Sequence, residues 1–130
     1  MVKRICLYLS VMFPVAPMLV FCAIQFLAVY LWAATALDPG PVRLGAAVVV
    51  GWISLLVFLL FLRVSDEIKD QDSDPHFFPS RPLPSGKVRL ADLWVLWSVC
   101  LGLLLALNAL LPALWIPFAM VLGYLLLMFR

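Results

Sequence analysis

From Ile5 to Leu37 the chain carries no Asp, Glu, Lys or Arg, and three more uncharged stretches follow: Leu44–Leu62, Leu93–Leu111 and Ala113–Phe129. Each is about 17 residues or longer, enough for a helix to cross a hydrocarbon core about 30 Å thick. A backbone in lipid must satisfy its own hydrogen bonds, and a helix does this within one segment. The pattern predicts an all-α integral membrane protein: a single transmembrane domain with four spans, at about residues 14–37, 44–64, 90–111 and 113–129. A short Asp38-Pro39-Gly40-Pro41 turn joins the first two spans, and Pro112 separates the last two. Both joints are tight, so each pair of spans is expected to form a helical hairpin.

Composition sharpens this. Of 130 residues, 66% are hydrophobic and only 12% charged, against about 25% charged in ordinary soluble domains. The mean hydropathy is +1.13. A small soluble chain has too little polar surface to cover so much apolar material. A soluble enzyme, a disordered tail and a disulfide-stapled secreted domain are all excluded. The net charge of +2 matters less than where the charges lie.

Met1-Val2-Lys3-Arg4 ahead of an apolar run resembles the start of a secretory signal, and Ala34-Thr35-Ala36 has the look of a cleavage site. A signal has an apolar core of about 7–15 residues, and this run is about twice that. A retained anchor is the expectation, with Pro14 and Pro17 marking a bent or interfacial start and the span proper nearer Met18–Leu37. Lys3, Arg4, Arg63, Lys69, Arg81, Lys87, Arg89 and Arg130 fall on one side of a four-span chain, with Arg43 alone on the other. The positive-inside rule then places both termini and the loop 65–89 in the cytoplasm, of the inner membrane if the cell is bacterial. Cys6, Cys22 and Cys100 have no evident partners and read as buried apolar thiols, at the cytoplasmic edge or within helices.

The loop 65–89 carries the candidate chemistry. Five of the seven acids, Asp66, Glu67, Asp70, Asp72 and Asp74, fall in nine consecutive positions. Basic residues follow them at Arg81, Lys87 and Arg89. Asp66, Asp70 and Asp74 recur every four residues in the register of the second span, so a continuing helix would put them on one face, with Glu67 near its edge and Asp72 pointing away. Stacked carboxylates repel one another, and a divalent cation would relieve this; hard oxygen ligands suit Mg²⁺. An EF-hand starting at Asp70 fails, because Pro75 and Arg81 occupy the positions that need Gly and a bidentate Glu. Mg²⁺ typically bridges one or two carboxylates to substrate phosphates, and Arg81 suits bidentate binding of phosphate oxygens. The bland alternative is an ordinary solvated loop.

Asp66-Glu67-Ile68-Lys69-Asp70-Gln71-Asp72-Ser73-Asp74, followed by Arg81-Pro82-Leu83-Pro84-Ser85-Gly86, resembles the first aspartate-rich signature of the UbiA family of intramembrane prenyltransferases. That signature opens Asn-Asp, has aspartates three and seven positions after the first Asp, and runs into an Arg-Pro-Leu/Ile-Pro-Ser-Gly tail. It leaves the second transmembrane helix on the cytoplasmic side. The resemblance implies that Glu67, Asp70 and Asp74 bind Mg²⁺ and that Asp66, Arg81 and Lys87 serve a prenyl diphosphate. It further implies transfer of the prenyl group to a lipophilic, often aromatic, acceptor in an apolar cavity between helices. Asp66-Glu67 departs from the usual Asn-Asp by one charge and one methylene. The family's bundle is larger and has a second aspartate-rich loop, whereas the only acid here beyond the motif is Asp92. The chain is therefore expected to be an amino-terminal portion of such an enzyme, catalytically incomplete alone or completed by a second half-chain or homo-oligomer. The alternative is a small membrane protein that retains the acidic loop for assembly or metal binding.

The remaining polar residues carry less. His76 has no second His or Cys beside it and reads as a loop residue. Gln25 and Asn108 could line a cavity or join helices by hydrogen bonds. Trp94, Trp97 and Trp115 read as interfacial anchors, and Phe77 and Phe78 as residues that dip into the interface. No Ser/His/Asp set or phosphate-binding Gly-rich loop is present, nor a basic run that would suit nucleic acid.

Overall fold

The computed structural model describes residues 1–37, 40–42 and 44–109, with isolated positions 119, 123 and 127. Five helices are described: α1 (Val2–Met12), α2 (Val15–Leu37), α3 (Ala46–Lys69), α4 (Asp74–Phe77) and α5 (Leu90–Ala109). No strand occurs among the described residues. Three helices, α2, α3 and α5, are long and apolar enough to cross a membrane, which marks an integral membrane protein. The expected fourth span, 113–129, and Trp115 lie outside the described residues apart from those isolated positions.

The amino-terminal run divides in two. Phe13 leaves the helical region (φ −147°, ψ 74°) while its N–H still closes α1 on the Leu9 carbonyl. The cause is Pro14, whose ring disfavours helical geometry in the residue before it. Pro17 falls in the first turn of α2, where a missing N–H costs nothing. The start that the prolines signal is thus a separate helix rather than a bend. In α1, Ile5, Tyr8, Leu9 and Met12 meet the core; this i, i+3, i+4, i+7 spacing is that of an amphipathic helix with one apolar face turned inward.

The core lies between α3 and α5. Phe61, Val64 and Ile68 on α3 face Leu93, Leu96, Cys100 and Leu104 on α5, with Tyr8 of α1 and Val88 closing one end. Both stripes follow the three-and-four spacing of a helix face. Trp97 does more than anchor: its Nε1–H donates to Ser65 Oγ at 3.0 Å, and its ring lies 5.0 Å from that of Phe61. Ser65 Oγ in turn donates to the Phe61 carbonyl at 2.8 Å, which satisfies a hydroxyl buried among apolar groups.

Helices α2 and α3 meet through Gly51, where an added Cβ would collide with the Phe26 ring. A small residue here lets the helices approach. Nearby, Trp52 Nε1–H donates to the Leu19 carbonyl at 3.1 Å. Much of α2 remains apolar and exposed, including Val20, Ile24, Val29 and Trp32, as a lipid-facing surface requires. Two expectations change in detail. Asn108 donates to the Leu104 carbonyl of its own helix at 2.8 Å rather than to a neighbour. Cys22 and Cys100 are buried thiols, but Cys6 is exposed.

Candidate functional site

The acidic row is built by the end of α3. That helix runs past the uncharged segment to Lys69, and Asp70 caps it with an N–H bond to the Asp66 carbonyl. Helices are stable in both lipid and water, so the first charge does not end one. The Asp70 carbonyl then accepts bonds from the N–H groups of Ser73 (3.0 Å) and Asp74 (2.9 Å), turning the chain into α4. Asp66, Asp70 and Asp74 therefore do not form one solvated stripe. Asp66 is half-buried, Asp70 exposed and Asp74 only 4% exposed. Glu67 is the most enclosed of the row, at 1%, and Asp72 is exposed.

The two buried carboxylates are each held by an arginine. Arg63 Nη2–H donates to Glu67 Oε2 at 2.6 Å, across one turn of α3. Arg81 Nη1–H donates to Asp74 Oδ2 at 2.8 Å, and its guanidinium lies 3.8 Å from the centre of the Phe78 ring. Pairing and stacking fix Arg81 and tie the tail of the motif to its acidic half. The repulsion within the row is thus relieved partly by arginines of the chain itself. Arg63 was legible in the sequence only as a basic residue at a span end, yet it is the direct partner of Glu67.

The Pro-Leu-Pro-Ser-Gly tail is ordered as well. Ser85 N–H bonds to the Arg81 carbonyl (3.0 Å), Gly86 N–H to Leu83 (3.0 Å) and Val88 N–H to Pro82 (3.0 Å). Gly86 sits at φ +73°, a left-handed conformation that glycine adopts without steric cost. This folding returns Val88 to the core and leaves Lys87 exposed. Asp92, the remaining acid near the site, is gripped by a fork from α1: Arg4 Nε–H at 2.6 Å to Oδ2 and Nη2–H at 2.9 Å to Oδ1. The backbone N–H of Arg89 also donates to Asp92 Oδ2, at 3.1 Å. The fork pins α1 beside the start of α5.

Glu67 is the electrostatic centre of the site. Arg63 pairs with it directly, and Asp70, Asp74 and Arg81 lie within electrostatic range of its carboxylate, so three sequence-predicted residues, Asp70, Asp74 and Arg81, share the surroundings of one buried group. Its second oxygen, Oε1, is buried without a hydrogen-bond partner. Tyr8 is also in the neighbourhood: its ring is fully buried against the same core. Burial, with the negative charge of Glu67 adding to it, pushes the Tyr8 phenol above its ordinary range. Tyr8 belongs to no motif, and the amphipathic spacing of Ile5, Tyr8, Leu9 and Met12 was the signal that could have revealed it.

Among the described residues, no three His, Cys, Asp or Glu side chains converge closely enough to hold a metal ion by themselves. Mg²⁺ typically takes one or two carboxylates and fills its other positions with water and phosphate oxygens. Glu67 Oε1 is a buried carboxylate oxygen without a hydrogen-bond partner. Beside the site, a groove of about 400 Å³ runs between the α1–α2 joint and α3, lined by Phe13, Met18, Phe21 and Leu62 with Arg63 and Asp66 at its polar end. No family model, curated protein or solved structure matches this chain.

Proposed function

We propose that the chain carries the diphosphate and Mg²⁺ part of a UbiA-like prenyltransferase, within an all-helical bundle of about four spans whose motif and termini face the cytoplasm. The observation that supports this best is the Glu67 Oε1 atom, buried and unpartnered within the acidic row and in electrostatic range of Asp70, Asp74 and Arg81. A buried carboxylate oxygen without a partner is costly unless something occupies it. Glu67, with Asp70 or Asp74, would hold Mg²⁺, and Asp66, Arg81 and Lys87 would serve the diphosphate. When bound, the metal would offset the charge that develops on the diphosphate as its allylic C–O bond breaks.

The chain's own residues do the rest. Arg81 is already oriented by Asp74 and the Phe78 ring, so its remaining N–H groups need little reorganisation to meet phosphate oxygens. The apolar groove at the polar end of α3 can take a hydrocarbon tail while its headgroup meets the motif. Diphosphate leaves with the bonding electron pair, the acceptor carbon bonds to the prenyl carbon, and the acceptor releases a proton. Purified chain in detergent should bind geranyl diphosphate only with Mg²⁺, and Asp70→Ala should weaken this at least about tenfold. Equal binding without metal would refute the reading.

One observation favours a second reading. The pairs Arg63–Glu67 and Arg81–Asp74 neutralise two of the motif's carboxylates from within, as a loop kept only for assembly would require. That reading expects no response to Mg²⁺ or prenyl diphosphate, and homo-oligomers in detergent whose formation depends on the loop.

A further inference from the structure

Tyr8 lies far from the motif in sequence, yet its ring is completely enclosed, at 0% exposure. Its hydroxyl has no hydrogen-bond partner. Phenylalanine would bury the same ring without the desolvation cost of an unpaired hydroxyl, so the oxygen needs a reason. The placement of α1 supplies context. The Arg4 fork onto Asp92 fixes the helix to α5, and Ile5, Leu9 and Met12 seat it against the core. The helix thereby delivers a phenol to the end of α3, where Tyr8 lies within electrostatic reach of Glu67, Arg63, Asp66 and Arg81.

Among the described residues, two buried side-chain oxygens lack a partner, Tyr8 Oη and Glu67 Oε1. Tyr8 packs in one core cluster with Val64 and Ile68, the α3 residues on either side of Glu67, and lies within electrostatic range of its carboxylate. A phenol and a carboxylate could satisfy each other directly, but neither has a hydrogen-bond partner, so both oxygens are buried with their bonding capacity unused. A phosphoryl oxygen only accepts hydrogen bonds. It therefore complements the Tyr8 hydroxyl and the guanidinium N–H groups of Arg63 and Arg81, while the carboxylate oxygen suits a cation accompanying the phosphates.

We propose that Tyr8 is a ligand-binding residue of the motif site, its hydroxyl donating a hydrogen bond to a phosphoryl oxygen of the diphosphate. This rests on the reading given under Proposed function and adds to it a residue from outside the motif.

The test compares the full chain in detergent with Tyr8→Phe and Asp70→Ala, measuring Mg²⁺-dependent binding of geranyl diphosphate and thermal unfolding without ligand. Tyr8→Phe should unfold at or above the parent's temperature, since it removes only an unpaired oxygen. Its affinity for geranyl diphosphate should fall about tenfold or more, the usual effect of losing a hydrogen bond to a charged group. A variant that unfolds several degrees lower with affinity unchanged would show the hydroxyl to be a structural group bridged by water, and would overturn the proposal. So would a variant unchanged in both measurements. If the parent binds diphosphate and Asp70→Ala abolishes this while Tyr8→Phe does not, the role of Tyr8 fails and the motif reading stands. If the parent binds no diphosphate with Mg²⁺, both fail.

Discussion

Replacing Arg63 with Met would keep much of the side-chain length and remove the partner of Glu67. Glu67 is 1% exposed, and one of its oxygens already lacks a partner. Losing the 2.6 Å bond from Arg63 Nη2 would leave the whole carboxylate buried and unpaired. Breaking a buried pair from one side costs about 3–5 kcal/mol, whereas exposed pairs contribute about 0–1 kcal/mol. The Arg63 side chain is 26% exposed, so solvent screens part of the interaction and the lower end, about 3 kcal/mol, is expected. Adding Glu67→Met should recover most of the loss, because an apolar pair of similar volume replaces a buried ion pair at little net cost. The measurement is the free energy of unfolding in mixed micelles by SDS titration, for the parent, both single variants and the double variant. A cost below about 1 kcal/mol for Arg63→Met would mean that Glu67 reaches water and that the end of α3 is not closed. A double variant no more stable than Arg63→Met would refute the argument that the unpaired charge is the source of the loss.

Gly51→Val should weaken the α2–α3 contact by about 1–3 kcal/mol, because its side chain would meet the Phe26 ring; adding Phe26→Ala should relieve part of the loss in the same titration. Asp92→Asn should loosen the Arg4 fork, seen as faster hydrogen exchange over Val2–Met12 with exchange in the centre of α3 unchanged. Burial raises the Tyr8 phenol above its ordinary value, so the folded chain keeps a proton that the unfolded chain loses. Stability contributed by the neutral phenol is complete below about pH 10 and falls as pH rises beyond it, and Tyr8→Phe should flatten that part of the profile.

Runs without charge are where the long apolar helices lie, because lipid admits few charged groups. Expected spans at 14–37 and 90–111 correspond to helices Val15–Leu37 and Leu90–Ala109. The span expected at 44–64 is part of a longer helix ending at Lys69, since charge marks where lipid ends and not where a backbone stops being helical. The four-residue recurrence of Asp66, Asp70 and Asp74 suggested one common face. Differences in depth separate them, because the turn that starts at Asp70 swings Asp74 inward to Arg81. An i, i+4 pair such as Arg63–Glu67 can be read from sequence once the helix is known to continue.

By itself the amino-acid sequence determined the all-helical membrane class, the apolar stretches, and the concentration of charge between Arg63 and Arg89. Those properties follow from local composition and from the need of a backbone in lipid to bond to itself. Tertiary structure decided what each charge meets. Arg4 and Asp92 are 88 residues apart, and Trp97 and Ser65 are 32 apart. Such pairings depend on how α1, α3 and α5 pack, which no local pattern encodes. The same packing decided that Glu67, rather than the more regularly spaced aspartates, is the most deeply buried of the row, and that Tyr8 is enclosed against the same core.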